Sequence, residues 1–405
     1  MIQDELLRRV NVLRRTDNLT NWFYLVREYL FLGLVLGLTI AFYQWIFGQD
    51  LSWLYAIPVT GLAVSLIGAG QHRLTTLGHE ASHYLLFRNR LLNELVSDWL
   101  CMFPMWSTTH HYRLQHLAHH QFPNDPLRDP DVLQMEGSGH RFHFPMSPGR
   151  FVWQCVFKQL LWLPGLIRYI RMRARYATTG NGSGPYSSEN NPRVRVLIVL
   201  GAVYIFALAV VLTALTLWGE LWQMVAAPAG MCMAVTAFYA LVPRRFYRSP
   251  RLKPDVSIRW ISVGRLAYIT FLFTGLACLR RITGEPWELY YLVLWSLPQL
   301  TSFAYYMIAR QIVQHGHGGQ SRFGNTRVFL VSRLIRWAVF PLGMEYHLPH
   351  HLFPLVPHYR LPQLHALLLE HNPDYREHCT IVEGYFFHRR PPEHATVLEV
   401  MAHPG

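Results

Sequence analysis

The sequence predicts an all-α integral membrane fold built from transmembrane helical hairpins. Two observations lead to this class. First, 51% of the 405 residues are hydrophobic and only 15% are charged, whereas soluble globular proteins contain about 25% charged residues. Second, five uncharged runs have about the 20 residues that a helix needs to cross a bilayer. These runs are 30–47, 51–70, 196–218, 221–243 and 289–309.

A sixth apolar run, 260–279, carries Arg265 near its start. It brings the expected number of spans to six, and four is the alternative count. Long apolar runs also occur as buried core helices of soluble proteins, but such helices rarely extend for about 20 residues without a charge. The sequence therefore favours a membrane protein.

The spans divide the chain into three expected parts. We expect a cytoplasmic or interfacial helix over 1–29, a membrane domain over 30–370 and a cytoplasmic tail over 371–405. The N-terminal stretch "DELLRRVNVLRR" mixes apolar residues with arginines, which is typical of an amphipathic helix on a membrane surface or of a solvated helix. The turn-rich stretch 177–192 predicts a flexible surface loop inserted in the membrane domain.

The net charge of +13 comes almost entirely from arginine, because Lys158 and Lys253 are the only lysines. The arginines crowd the segment between the second and third spans, and again the segment 244–251. By the positive-inside rule both segments are cytoplasmic. Topology therefore explains the charge, and we expect no nucleic-acid partner. The shortage of lysine favours a bacterial genome and hence the inner membrane.

Three histidine-dense segments each place two or three imidazoles on one face of a helix, because positions i, i+3 and i+4 are neighbours there. Imidazole is the commonest metal-binding side chain. The candidates are His79 and His83 in "HEASH", His116, His119 and His120 in "HLAHH", and His347, His350 and His351 in "HLPHH". Eight converging imidazoles exceed what one ion accepts, so two metal ions are predicted.

All 22 histidines lie outside the expected spans, so the site belongs in a cytoplasmic helical cap. A transporter would instead place ionisable groups at membrane depth. The first two segments follow the second span and the third segment follows the last span. They reach the same side only if an even number of spans separates them, and the six-span count supplies four.

The sequence around these histidines resembles the integral-membrane fatty acid desaturase family over roughly residues 30–370. The flanks carry the resemblance together with the histidines. They read "GHEASHYLLFRNRLLNELVSDWL", "YRLQHLAHHQFPNDPLRDPDV" and "EYHLPHHLFPLVPHYRLPQLH". The three segments taken together are a specific pattern.

The resemblance implies a diiron centre held by histidines, facing the cytoplasm and activating O2. It also implies a ninth histidine shortly before the third segment. In "RQIVQHG" this is His315, with Gln314 where the family usually has glutamate, and His317 is the competing candidate.

Four carboxylates stand close enough in sequence to orient the ligands. Metal-bound histidines generally donate their second N–H to a carboxylate or a carbonyl. The candidates are Glu80, Asp129, Asp131 and Glu345. The alternative is that they are ordinary surface acids or helix caps.

The expected function is an O2-dependent desaturase that introduces a double bond into an acyl chain of a lipid-like substrate, using two Fe ions. The chain has no cysteine pair of C-x-x-C type and no glycine-rich dinucleotide motif, so a separate ferredoxin- or cytochrome-type donor with its reductase is implied. A diiron hydroxylase or ketolase is the nearest alternative, because both reactions begin with hydrogen abstraction. A non-catalytic membrane metal-binding protein is a more distant one.

Overall fold

The computed structural model describes residues 2–178, 185–186, 191–248, 251–388 and 393–402. Helices dominate these residues, as the sequence predicts. They are α1 (Ile2–Leu13), α2 (Thr20–Gly48), α3 (Ala56–Ser82), α4 (Arg90–Ser97), α5 (Thr109–Gln121), α6 (Pro130–Ser138), α7 (Pro148–Phe151), α8 (Lys158–Leu161), α9 (Leu163–Arg173), α10 (Val194–Trp218), α11 (Leu221–Leu241), α12 (Ile258–Thr283), α13 (Trp287–Tyr291), α14 (Leu297–Leu300), α15 (Ser302–His315), α16 (Arg333–Ala338), α17 (His347–Leu352), α18 (Leu361–His371), α19 (Pro373–His378) and α20 (Val397–Ala402).

Short π-helical and 3-10 segments extend several of these helices. The π-helical segments are Asp98–Met102, Val152–Phe157, Ala174–Thr178 and Leu292–Ser296. The 3-10 segments are Trp53–Tyr55, Phe103–Met105, Arg244–Phe246 and His358–Arg360. The strands are β1 (Val328–Leu330) and β2 (Ile381–Glu383), which form a two-stranded parallel sheet.

Five helical stretches of the described residues are long and apolar enough to cross a membrane. They are Thr20–Gly48, Trp53–Ser82, Val194–Trp218, Leu221–Leu241 and Ile258–Thr283. They correspond to five of the six predicted spans, including the uncertain one at 260–279. Large apolar side chains on them face outward, as Phe206 does with 73% of its surface exposed. These helices make the chain an integral membrane protein.

The remaining predicted span, 289–309, is helical but not one continuous helix. It runs through α13, the π-helical turn, α14 and part of α15. Thr301 separates α14 from α15, with φ −121° and ψ −90°. Pro298 has no N–H to donate to the preceding turn, and that turn, Leu292–Ser296, is π-helical.

The described residues group into two compact units. The first contains Met1–Pro185 and Leu297–Gly405, and the second contains Tyr186–Ser296. Within the second unit, the hydroxyl of Tyr204 lies 2.6 Å from that of Thr270, and Tyr239 donates to the carbonyl of Leu197 at 2.7 Å. All the histidine segments singled out above belong to the first unit.

In the first unit, α3 packs between α2 and α15. The guanidinium of Arg73 on α3 donates to both carboxylate oxygens of Glu28 on α2, at 2.6 and 2.8 Å. On the other side Gly68 allows a close approach, since a Cβ there would lie 2.0 Å from Oγ of Ser302. Ser302 donates to the carbonyl of Val64 at 2.6 Å. The start of α15 is thereby held against the middle of α3.

Arg113 on α5 fixes the second histidine segment against the first. Its Nη1 donates to Oε2 of Glu94 at 3.0 Å, and its Nη2 bonds the other carboxylate oxygen. Its Nε and Nη2 also donate to the carbonyls of Ser82 and Ala81, at 2.9 and 2.8 Å. Because the Arg113 side chain is fully buried, the position of α5 depends on the ion pair between Arg113 and Glu94.

Arg113→Met is expected to lower the free energy of unfolding by about 3–5 kcal/mol, because it leaves the buried Glu94 carboxylate without its counter-charge. Denaturant unfolding of the protein in detergent micelles measures the change. Arg128→Met is the matched control, since Arg128 is 59% exposed and pairs with Asp125 on the surface. Equal effects of the two substitutions would contradict the assignment of Arg113 as the structural tie.

The C-terminal part of the first unit packs onto the third histidine segment. Val328 of β1 pairs with Ile381 of β2 and also bridges to Tyr346, the residue before His347. Further along, the apolar face of α1, with Leu6 and Val10, packs in one buried cluster with α18. The apolar residues of the N-terminal helix therefore serve packing within the protein.

The predicted boundaries of the three parts, at residues 29 and 370, remain predictions. Most of the predicted insert loop, 177–192, lies outside the described residues.

Candidate metal centre

Nine histidines of the first unit form two compact sets. In each set the candidate ligand atoms lie within 4.8 Å of one another. The first set contains His79, His83, His116, His120 and His350, and the second set contains His119, His315, His347 and His351. The structure thus brings together the nine predicted ligands. That they bind metal remains a prediction.

In the first set, Nε2 atoms from three chain segments face a common point. The Nε2 of His116 lies 2.8 Å from that of His83 and 3.0 Å from that of His120. The Nε2 of His120 lies 3.0 Å from that of His350. Neither ring nitrogen of His79 makes a hydrogen bond, although the ring centroid is 4.3 Å from that of His116.

The second set has the same character. The Nε2 of His347 lies 2.9 Å from that of His315 and 3.2 Å from that of His351. His119 completes the set, with its ring centroid 4.6 Å from His315 and 5.0 Å from His351. Its neighbour on α5, His120, belongs to the first set, so the two sets are adjacent.

These distances fit metal ligation better than hydrogen bonding. A neutral imidazole nitrogen carries either one proton or one lone pair, so Nε2 of His116 cannot make two good hydrogen bonds to Nε2 neighbours at 2.8 and 3.0 Å. Two nitrogens bound at about 2.1 Å to one ion, at right angles, are about 3.0 Å apart. Both sets therefore fit an ion, and nine donors suit two.

Asp129 orients the ligand candidate His119. Both of its oxygens lie 3.0 Å from Nδ1 of His119. The carboxylate also accepts the backbone N–H groups of Asn124 and Asp131, at 2.8 and 2.9 Å. Such an outer partner fixes the ring orientation and leaves Nε2 for a metal.

The other three predicted carboxylates have different surroundings. Glu80 accepts the backbone N–H of His358 at 2.9 Å, while its second oxygen lies 3.4 Å from Nδ1 of His79. Asp131 accepts from the amides of Gln115 and Gln311, at 2.8 and 3.2 Å.

Glu345 faces the guanidinium of Arg336 at 3.8 Å. Burial raises the pKa of Glu345 to about 7.

His315 belongs to the second set, whereas His317 lies outside both. The Nδ1 of His315 lies 3.1 Å from the carbonyl of Asn325, which is an outer partner that sequence reasoning missed. No sequence signal marks Asn325, because any residue offers a carbonyl. The ring of His317 stacks on Phe144, and its Nδ1 lies 3.2 Å from the carbonyl of Val400. Gln314 donates to the carbonyl of Met344 at 2.8 Å.

Burial sets the protonation state of most candidate ligands beyond the span that ends at Ser82. It lowers the pKa of these imidazoles below the usual range, which favours the neutral, metal-binding form. The residues concerned are His83, His116, His120, His315, His347, His350 and His351.

His119 is different. Its burial also lowers the pKa, but the Asp129 and Asp131 carboxylates outweigh burial and raise the pKa to about 9.

Asp129→Asn is expected to weaken iron binding by roughly 10–100-fold, because the asparagine loses the charge that orients and polarises His119. The measurement is iron retained per chain against a series of chelators. Asp125→Asn is the control, since Asp125 accepts from Arg128 and from backbone N–H groups. Equal iron retention by wild type and Asp129→Asn would contradict the orienting role.

A cavity of 220 Å³ opens beside the second set. His119 and His315 line it together with Asp131, Gln311 and Phe144. The cavity therefore borders two of the four candidate ligands of the second set.

The fold and the site define a class: a helical membrane protein with two adjacent histidine sets that fit metal ions. The chain belongs to the fatty acid desaturase family, whose model matches residues 51–240 and 224–382. The chain is also similar to dihydrorhizobitoxine desaturase of Bradyrhizobium elkanii, with 29% identity over 147 residues. That match covers 36% of this chain and 38% of the relative.

Proposed function

We propose that the protein is an O2-dependent desaturase that introduces a double bond into an acyl chain, using a histidine-bound diiron centre and electrons from a separate donor. The observation that carries this proposal is the pair of adjacent, buried histidine sets. Two ions side by side, each with nitrogen ligands, suit the activation of O2. Iron so held supplies the oxidising power that amino-acid side chains lack.

The reaction balances as follows. Two neighbouring CH2 groups each lose one hydrogen atom, and the C=C bond forms. One O2 molecule is reduced to two water molecules. The reduction takes two electrons and two protons from outside in addition to the two hydrogen atoms of the substrate. A reductant is therefore required in every turnover.

The protein's own contribution is to hold the ligands and orient the substrate. Arg113 positions α5 and hence His116, His119 and His120. Asp129 fixes the ring of His119. Six of the nine ligand candidates are buried, which limits the access of bulk water and protects a strongly oxidising site from side reactions.

The electron donor is proposed to be a separate ferredoxin- or cytochrome-type protein with its reductase. The five cysteines are all free, and they are spread along the chain, which is unlike a cysteine-bound iron–sulfur site. The arginine-rich segments support a site facing the cytoplasm. We place the protein in a bacterial inner membrane.

The alternative chemistry is hydroxylation or ketolation of a lipid-like substrate at the same centre. In hydroxylation one oxygen atom of O2 enters the product and the other becomes water. A non-catalytic metal-binding protein is the third possibility. The similar protein named dihydrorhizobitoxine desaturase motivates testing substrates other than fatty acyl chains.

Product mass separates these possibilities. Membranes containing the protein are incubated with O2, NADPH, ferredoxin and ferredoxin reductase, and extracts are compared by mass spectrometry. Desaturation removes the mass of two hydrogens from a product, whereas hydroxylation adds the mass of one oxygen.

His116→Ala membranes are the control, because the substitution removes a candidate ligand of the first set. Metal-loaded protein that neither consumes O2 nor changes any extract would overturn the enzymatic proposal.

A further inference from the structure

Two buried arginines of the first unit form no ion pair among the described residues. Arg310 on α15 and Arg173 at the end of α9 are 8% and 9% exposed. The Nε of Arg310 has no hydrogen-bond partner, and its Nη2 approaches only the thioether of Met307, at 3.6 Å. The guanidinium of Arg173 lies over the rings of Tyr112 and Phe303, at 5.6 and 5.7 Å.

The other buried arginines of this unit are satisfied by the protein. Arg73 pairs with Glu28 and Arg113 pairs with Glu94. Arg327 donates to two backbone carbonyls, at 2.7 and 2.9 Å. Because a buried charge without a partner costs several kcal/mol, Arg310 and Arg173 stand out from this pattern.

The charges of the two arginines act on each other. Burial lowers the pKa of Arg310, and Arg173 lowers it further. The Asp131 carboxylate raises the pKa of Arg310. Its oxygens, however, accept hydrogen bonds from Gln115 and Gln311 and not from Arg310. Two buried guanidiniums that repel each other, with no carboxylate in an ion pair with either, favour an anion from outside the chain.

The arginines lie close to the histidine sets. Arg310 precedes His315 by five residues on α15, which is an axial rise of about 7.5 Å. Arg173 reaches the other set through Tyr112, whose ring stacks on that of His116 with 5.4 Å between centroids. An anion held by both arginines would therefore lie a short distance from the candidate metals.

We propose that Arg310 and Arg173 bind the anionic group of the substrate, a carboxylate or a phosphate, inside the protein. Guanidinium groups recognise both anions through paired hydrogen bonds. The inference rests on the proposed function and names its substrate class. The substrate is a free anionic molecule whose oxidised carbon lies a few bonds from the charge. An acyl group on a bulky carrier would keep its anionic end at the surface.

Isothermal titration of the detergent-purified protein tests this site without turnover. The probes are octanoate, octyl phosphate and the neutral methyl octanoate. We expect saturable binding of at least one anion, weakened at least tenfold by Arg310→Gln and by Arg173→Gln, since hydrogen bonds to charged groups contribute about 1.5–3 kcal/mol. The tighter of the two anions identifies a carboxylate or a phosphate substrate. Arg150→Gln, at an exposed position, is the matched control and should leave binding unchanged.

Two results would overturn the proposal. One is the absence of saturable binding of either anion up to millimolar concentration. The other is equal weakening of anion and ester binding by the arginine substitutions, which would indicate a general loss of structure.

Thermal unfolding without ligand gives a second readout. Arg310→Met should leave the Tm unchanged or raise it, because it removes an unpaired buried charge. A lower Tm would mean that Arg310 holds the fold, against the proposal. Iron content distinguishes this site from the metal centre: the arginine variants should keep wild-type iron. If the purified wild type contained no iron but still bound the anion, the diiron proposal would be contradicted and the arginine site would stand.

Discussion

The double variant His350→Ala, His351→Ala is expected to lose essentially all its iron, whereas the wild type is expected to hold two irons per chain. The two neighbouring residues belong to different sets, His350 to the first and His351 to the second. One double substitution therefore removes a nitrogen donor from each candidate metal position. Iron per chain in detergent-purified protein, determined by mass spectrometry of the metal, measures the effect.

His143→Ala is the control for this experiment, since His143 is an exposed histidine outside both sets. It should retain two irons. If the double variant kept the wild-type iron content, the two sets would not build the centre. One iron per chain in the wild type would also exclude a diiron mechanism.

His315→Ala should abolish O2-dependent turnover, and His317→Ala should leave it near the wild-type rate. The reason is that Nε2 of His315 lies 2.9 Å from that of His347 in the second set, whereas His317 stacks on Phe144 outside both sets. The measurement is reductant-dependent O2 consumption together with iron content. His315→Ala should lower the iron content, because a histidine lost from a four-residue set weakens that position.

The reverse pattern, with activity lost in His317→Ala and kept in His315→Ala, would reassign the ninth ligand. Loss of activity in both variants with full iron in each would point to a role in substrate access for the segment around His315 and His317. Either result would remove His315 from the proposed ligand set.

The sequence predicted the helical spans well, because an uncharged run of bilayer length depends only on local composition. The run 289–309 was less well predicted. Its apolar residues do form helices, but Thr301 interrupts them within 289–309. Hydropathy does not register such an interruption, because it depends on backbone conformation.

The histidine candidates were also visible in the sequence, since the i, i+3, i+4 spacing fixes which imidazoles share a helix face. Their division into two sets was not. His119 and His120 are neighbours on α5 yet fall into different sets, and that division depends on where α15 and α17 lie. The carboxylates show the same limit: Asp129 contacts His119, whereas Glu345 faces Arg336.

The unpaired arginines were hidden among the others. Counted along the chain, Arg173 is one of the many arginines that follow the second span, and topology explains them as a group. Whether an arginine has a counter-charge is a property of its tertiary neighbours. The sequence did contain one indication of the unpaired arginines: Arg310 is a charged residue directly after the apolar run 289–309.

The parallel pairing of β1 with β2 has a consequence for how the protein is made. β1 donates and accepts along residues 381–383 on one side, while Phe329 bonds the carbonyl of Glu345 on the other, two residues before His347. The third histidine segment is thus held by β1, and β1 is in turn paired with β2, which leaves the ribosome after that segment. The support of the proposed metal centre is therefore expected to be complete only after residues 381–383 have been synthesised.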